Sequence, residues 1–83
     1  MRLDKWLKVS RLIKRRTVAK EVCEAGRVLV NNRPAKAGTD VSPGDRLRVS
    51  YGGRTVEAEV LLVAESMRAE LCGDMYRILT EEK

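Results

Sequence analysis

TVAKEVCEAGRVLVNNRP, residues 17–34, holds the change of hydrophobic period that sets the architecture. Val18, Val22 and Ala25, with Ala19 and Cys23, follow the spacing of an amphipathic helix, and Gly26 stands where helices end in a left-handed residue. Thr17 is the expected N-cap, although Lys20 occupies the place where a capping box needs Glu. Arg27-Val28-Leu29-Val30 then reads as a short strand, and Asn31-Asn32 as a tight turn, since asparagine tolerates positive φ. Pro34 cannot donate to a ladder, so the return segment Arg33–Lys36 belongs at a sheet edge or a strand start.

Toward the N-terminus, Leu3, Trp6 and Leu7 fall at i, i+3 and i+4, with Arg2, Lys5 and Lys8 on the other faces. This predicts a helix of about two turns with Trp6 in the core. Val9, Leu12 and Ile13 carry the apolar side into a connector. Toward the C-terminus, Pro43-Gly44 fits the centre of a type II turn. Leu47, Val49 and Tyr51 form one face of a strand, Gly52-Gly53 turns the chain, and Val56, Ala58 and Val60 repeat the alternation. Glu57 and Glu59, between them, are expected to point to solvent. The apolar run Val60–Ala64 has strand length, Ser66–Gly73 reads as either a helical turn or a loop, and Met75–Leu79 reads as a last strand. The order gives an α+β fold: two N-terminal helices packed on a small, mainly antiparallel β-sheet. One domain over residues 1–83 is expected, with a thin core and no deep substrate cavity.

Charge is divided along the chain. Met1–Lys36 holds eleven Lys/Arg against three acids, a net of +8, whereas Ala37–Lys83 holds six against nine, a net of −3. One basic face on a small body is what a phosphate backbone requires, because each neutralised phosphate releases condensed counterions. Phe is absent, with one Trp and two Tyr, so recognition by an aromatic stacking sheet is disfavoured against groove and backbone contacts. Without His, and with no Gly-rich phosphate loop, nucleophile elbow or metal spacing, the chain reads as no enzyme, with neither cofactor nor metal. Cys23 and Cys72 match no metal or redox spacing and read as core residues in a reducing cytosol. No apolar run approaches eighteen residues and the start is charged, so no membrane partner or signal peptide is expected and the location reads as cytoplasmic.

Lys14-Arg15-Arg16 precedes the second helix, where free N–H groups and the positive dipole end already favour an anion. Asp4 admits two readings, an ordinary first-turn acid or a carboxylate that orients a neighbouring arginine toward RNA. Lys8 and Arg11 lie further along the same basic stretch, and Lys8 stands at i+4 from Asp4, where it could pair with it.

The RLDKWL start, the basic-Thr-x-Ala-Lys helix opening, GRVLVNN and the V-x-PGD-x-L-x-V strand entry together resemble the RNA-binding domain named after ribosomal protein S-four, over about residues 1–50. The resemblance implies the αL-type RNA-binding fold, with residues 51–83 as a strand-rich extension. With no catalytic domain attached, and with an acidic ending, Asp74–Lys83, in place of a long basic tail, the chain is most similar to the stand-alone RqcP-like branch, related to the small heat-shock ribosome-binding proteins. That likeness implies binding to stalled large ribosomal subunits carrying peptidyl-tRNA, contacts with rRNA and tRNA, and support of C-terminal tailing of the nascent chain with an RqcH-type tail-adding factor. It implies Arg2 and Arg16 as principal RNA contacts, Lys5, Lys14, Arg15, Thr17 and Lys20 around them, and Asp4 as the orienting acid. A monomer is expected. The competing readings are a general rRNA/tRNA-binding assembly or recycling factor, a DNA-binding helix-turn-helix protein with Thr17–Ala25 as recognition helix, and a protein adaptor using the acidic strands. The second suffers because Val18, Ala19, Val22, Cys23 and Ala25 leave few polar side chains for base edges.

Overall fold

The computed structural model describes residues 1–82. Helix α1 spans Leu3–Val9 and begins without a side-chain cap. Its first free N–H groups are met by a distant loop instead: Leu3 N–H donates to Thr39 O at 2.8 Å and Asp4 N–H to Ala37 O at 3.2 Å. Helix α2 spans Arg16–Glu24 with Arg15, not Thr17, at the N-cap, and no side-chain cap forms there. The expected Thr17 cap is therefore corrected: Thr17 lies inside the first turn. Capping propensity is worth only about 1 kcal/mol, and the helix starts two residues earlier, where Arg16 meets Asp4.

The other end of α2 follows the expectation. Gly26 has φ of 77°, its N–H donates to Cys23 O at 3.0 Å, and Arg27 N–H donates to Val22 O at 3.1 Å. This is the paired hydrogen-bond pattern of a Schellman ending.

Five strands follow: β1 Val28–Val30, β2 Arg33–Pro34, β3 Arg46–Tyr51, β4 Arg54–Val60 and β5 Tyr76–Glu82. They form one sheet in the order β2-β1-β3-β4-β5, every neighbouring pair antiparallel. Asn31 and Asn32 take φ of 52° and 68° in the β1–β2 turn, and Pro34 sits on the edge strand. Gly52 and Gly53, with φ of 63° and 78°, make the two-residue β3–β4 turn.

Two late segments differ from their sequence reading. Of the Val60–Ala64 run only Val60 belongs to β4; Leu61 and Leu62 are exposed. The chain leaves the strand at this point because Leu62 O accepts the Trp6 indole N–H at 2.9 Å, which ties the segment to the core. The ambiguity over Ser66–Gly73 resolves into a 3-10 segment over Ala69–Met75, so the last strand starts at Tyr76 and runs to Glu82.

The core lies between the helices and one face of the sheet. Leu3, Trp6 and Leu7 from α1 and Ala19, Val22 and Cys23 from α2 pack on Val28, Leu47, Val49 and Val60. Trp6 is fully buried as expected and meets Tyr76 edge-on at 6.4 Å. Tyr51 shares the inward face with Leu47 and Val49, yet it is exposed, because the two short helices leave that end of the sheet uncovered.

Candidate nucleic-acid interface

The corner where α1 meets the start of α2 is organised by one acid. Asp4 is buried in the first turn of α1. Its Oδ1 accepts the Arg2 Nε–H at 3.2 Å and the Lys5 backbone N–H at 2.8 Å, and its Oδ2 faces Arg16 Nε at 3.4 Å. The side chain of Asp4 is 3% exposed, against 54% for Arg2 and 49% for Arg16, so the anion points inward and both guanidinium groups outward. Each arginine engages Asp4 through Nε, and among the described residues its two terminal nitrogens have no hydrogen-bond partner. Two cations sharing one anion leave a net positive charge and planar donors ready for a phosphate.

Burial acting alone would raise the Asp4 carboxyl. The Arg2 hydrogen bond, the charge and hydrogen bond of Arg16 and the Lys5 N–H outweigh it and hold the group below its ordinary value. The acid is therefore ionised at neutral pH despite being buried. Of the two readings of Asp4, the geometry has the carboxylate fixing arginines; it pairs with Arg2 and Arg16 and not with Lys8.

The sequence candidates do not form one cluster. Arg2, Asp4, Arg16, Thr17 and Lys20 line a single open hollow of about 330 Å³. Lys5 turns the other way to pair with Glu65, whose carboxyl the Lys5 hydrogen bond and charge lower. Arg11, Lys14 and Arg15 line a second hollow of about 450 Å³ together with Tyr51 and Arg54. Lys8 lies beside Arg11 and Glu65 in a smaller recess of about 100 Å³.

Tyr51 and Arg54 are the residues that sequence reasoning passed over. The alternation of β3 assigned Tyr51 to the core face, and no local signal says that the helices stop short of it. Cys23 is buried, and its thiol is pushed up to about 11 by burial and then by the charges of Asp4 and Glu24, which keeps it protonated and unreactive. No group of His, Cys, Asp and Glu suited to a metal occurs among the described residues.

The outer face of the sheet is built differently. Glu57 and Glu59 do not simply face water: Arg48 meets Glu57 at 3.1 Å and Arg77 meets Glu59 at 2.5 Å across adjacent strands. These acids are half-buried by the arginines opposite them, which the alternation pattern within one strand cannot reveal.

A family profile described as S4 domain matches residues 1–47. Over 82 residues the chain is 55% identical to the RQC P-site tRNA stabilizing factor of Halalkalibacterium halodurans, covering 99% of this chain and 93% of that protein. It is 53% identical to the protein of the same name from Bacillus subtilis over 83 residues, covering 100% of this chain and 96% of that one. Among solved structures, the heat shock protein 15 of Vibrio cholerae, described as trimeric, matches with a TM-score of 0.87 at 29% identity, over 94% of this chain and 80% of that one.

Proposed function

We propose, from the premise that this chain belongs to the S4 domain family, that it is a non-catalytic RNA-binding factor of ribosome-associated quality control. It binds large ribosomal subunits that still carry peptidyl-tRNA, touches both rRNA and the tRNA, and supports C-terminal tailing of the stalled chain together with an RqcH-type factor. The observation that carries this reading is the buried Asp4 carboxylate holding Arg2 and Arg16 with their terminal nitrogens outward. That arrangement suits phosphate oxygens of a folded RNA, and the names of the two bacterial relatives point to tRNA in the ribosomal P site.

Arg2 and Arg16 are the principal contacts in this proposal. Thr17 and Lys20 complete their hollow, Arg11, Lys14 and Arg15 approach the same RNA beside the start of α2, and Lys8 adds long-range attraction. Lys5 contributes less, because Glu65 already pairs with it. The factor works in the cytoplasm as a monomer. The β2 edge favours that state, being only two residues long, one of them Pro34. Sedimentation of the free protein at micromolar concentration decides between this and the trimer described for the Vibrio cholerae relative.

The central test is co-sedimentation with purified large subunits, with and without P-site peptidyl-tRNA. The wild-type chain is expected to pellet preferentially with the tRNA-bearing subunits and to retain a tail-adding factor from lysate. Arg16→Ala is expected to lose about tenfold in affinity, the cost of one charge-assisted phosphate contact, and to melt somewhat lower than wild type while still folded, because Asp4 keeps Arg2 and the Lys5 N–H as partners. Equal binding to both subunit preparations, or a preference for duplex DNA, removes the proposal.

A further inference from the structure

The second hollow has features that the Asp4 corner does not account for. Arg11, Lys14, Arg15 and Arg54 surround Tyr51, and no carboxylate lines the space. Arg54 has an acid within reach, Glu81 at 3.4 Å, while Arg11, Lys14 and Arg15 have no ion-pair partner among the described residues. Like charges gathered on one small surface repel each other in the free protein, so the cluster is suited to a polyanion. Tyr51 is 42% exposed in the middle of it. Tyr51 and Arg54 also border a smaller recess whose other walls are Leu12, Val49, Val56 and Ala58. A partly exposed aromatic that borders an apolar recess and shares its hollow with several cations is suited to receive a single base.

Backbone conformation gives an independent sign. Arg11 has φ of 64°, immediately after the Ser10 C-cap of α1, and its N–H donates to Lys8 O at 3.0 Å. Glycine is the residue that suits this left-handed position, and a long side chain there is strained. The turn itself needs no arginine. What arginine adds is a guanidinium at the rim of the Tyr51 hollow, and strain retained at such a place points to function.

We propose that this hollow is a second RNA contact, separate from the Arg2–Asp4–Arg16 corner, which holds one unpaired nucleotide with its base against Tyr51 and its flanking phosphates against Arg11, Lys14, Arg15 and Arg54. A paired base has no free face to offer, so the occupant is a bulged or loop nucleotide. Arg15 and Arg16 are consecutive at the start of α2 and serve different hollows, so one RNA reaches both, with Arg16 on backbone and Tyr51 on the extruded base. The inference rests on the proposed function, in which the partner is RNA.

Two labelled RNA hairpins, identical except that one carries a single bulged nucleotide, separate the two contacts when titrated at matched salt. The wild type is expected to favour the bulged hairpin. Tyr51→Ala lowers affinity for it about tenfold, within the range found for removing one base–aromatic stack, and barely changes the paired hairpin. Tyr51→Phe restores the preference and keeps the wild-type melting temperature, whereas Tyr51→Ala melts slightly lower because part of the ring is buried. Arg11→Gly relieves the left-handed strain, so it melts higher than wild type while binding RNA more weakly and with a salt slope shallower by about 1. Arg16→Ala weakens both hairpins alike. Equal loss on both hairpins for Tyr51→Ala, no loss at all, or an Arg11→Gly variant that gains stability at full affinity overturns the second contact. An Arg16→Ala variant that binds like wild type overturns the function proposed for the Asp4 corner and leaves the Tyr51 result standing.

Discussion

At the α1–α2 corner one carboxylate, Asp4, serves two arginines; on the outer face of the sheet two arginines have an acid each, Arg48 with Glu57 and Arg77 with Glu59. The residue types are the same and the outcomes are opposite. In those two pairs the charges cancel one to one, and exposed pairs of that kind contribute little to stability. At the corner the acid is buried and the guanidinium groups are not, so positive charge is left over and held in a fixed place. The number of arginines on a face therefore says less about anion binding than the ratio of arginines to acids and which partner is buried. Of the nine acids over Ala37–Lys83, Glu57, Glu59 and Glu81 pair with arginines of that same half.

The harshest way to break the corner is from beneath. Trp6 lies two positions after Asp4 on α1, fully buried and hydrogen-bonded to Leu62 O. Trp6→Ala is expected to cost about 3–5 kcal/mol in urea unfolding, enough to unfold much of a domain of ordinary stability and to remove binding with it. A Trp6→Ala protein that melts like wild type shows that the ring does not support the corner.

Removing the acid sharpens the comparison more than any other change. Asp4→Ala raises the net charge by one, so charge counting predicts tighter RNA binding. The geometry predicts the reverse: the arginines lose their anchor and affinity falls roughly tenfold, about 1.4 kcal/mol. Unfolding should show a loss of about 1–3 kcal/mol from the hydrogen bonds to the carboxylate. Tighter binding by this variant, measured by anisotropy, shows that the corner acts by charge alone.

On the sheet, Glu57→Lys with Glu59→Lys sets like charges opposite Arg48 and Arg77. Each broken pair is expected to cost about 0.2–1 kcal/mol, a modest loss of stability. The outer face becomes basic, and binding to an unrelated structured RNA should rise while the preference for the large subunit falls. An unchanged ratio means that the shape of the helical corner alone sets orientation.

Acid gives the gentlest test. The folded carboxyl of Asp4 lies below its ordinary value, so its contribution to stability is complete above about pH 4, the unfolded value. It is lost only as the pH falls through the lower folded value. Melting curves of wild type and Asp4→Asn should differ by a constant amount from neutral pH down to about 4 and converge below it. Convergence already near pH 6 contradicts a lowered carboxyl.

Much of the fold could be read from short stretches. Gly26, Asn31-Asn32, Pro34 and Gly52-Gly53 each mark a turn, an ending or an edge because their backbone preferences are local, and the structure has each where it was expected. The stripes of α1 and α2 and the alternation of β3 and β4 identified most of the core for the same reason. α2 starts at Arg16 and not after a Thr17 cap, since a cap preference is weaker than the contact Arg16 makes with a residue twelve positions away. The Val60–Ala64 run was not a strand beyond its first residue, because the Trp6 indole takes the Leu62 carbonyl.

The order of elements, the helical stripes, the turns and the gathering of positive charge in the first half are all properties of neighbours along the chain, and the order of residues was enough to settle them. What that charge can do depended on the packed fold. Folding buried Asp4 between Arg2 and Arg16, turned Lys5 to Glu65, paired Glu57 and Glu59 with arginines on other strands, and left Tyr51 uncovered among cations. Electrostatic and hydrogen-bond energies depend on distance and burial in space, which residues far apart in the chain acquire only when it folds.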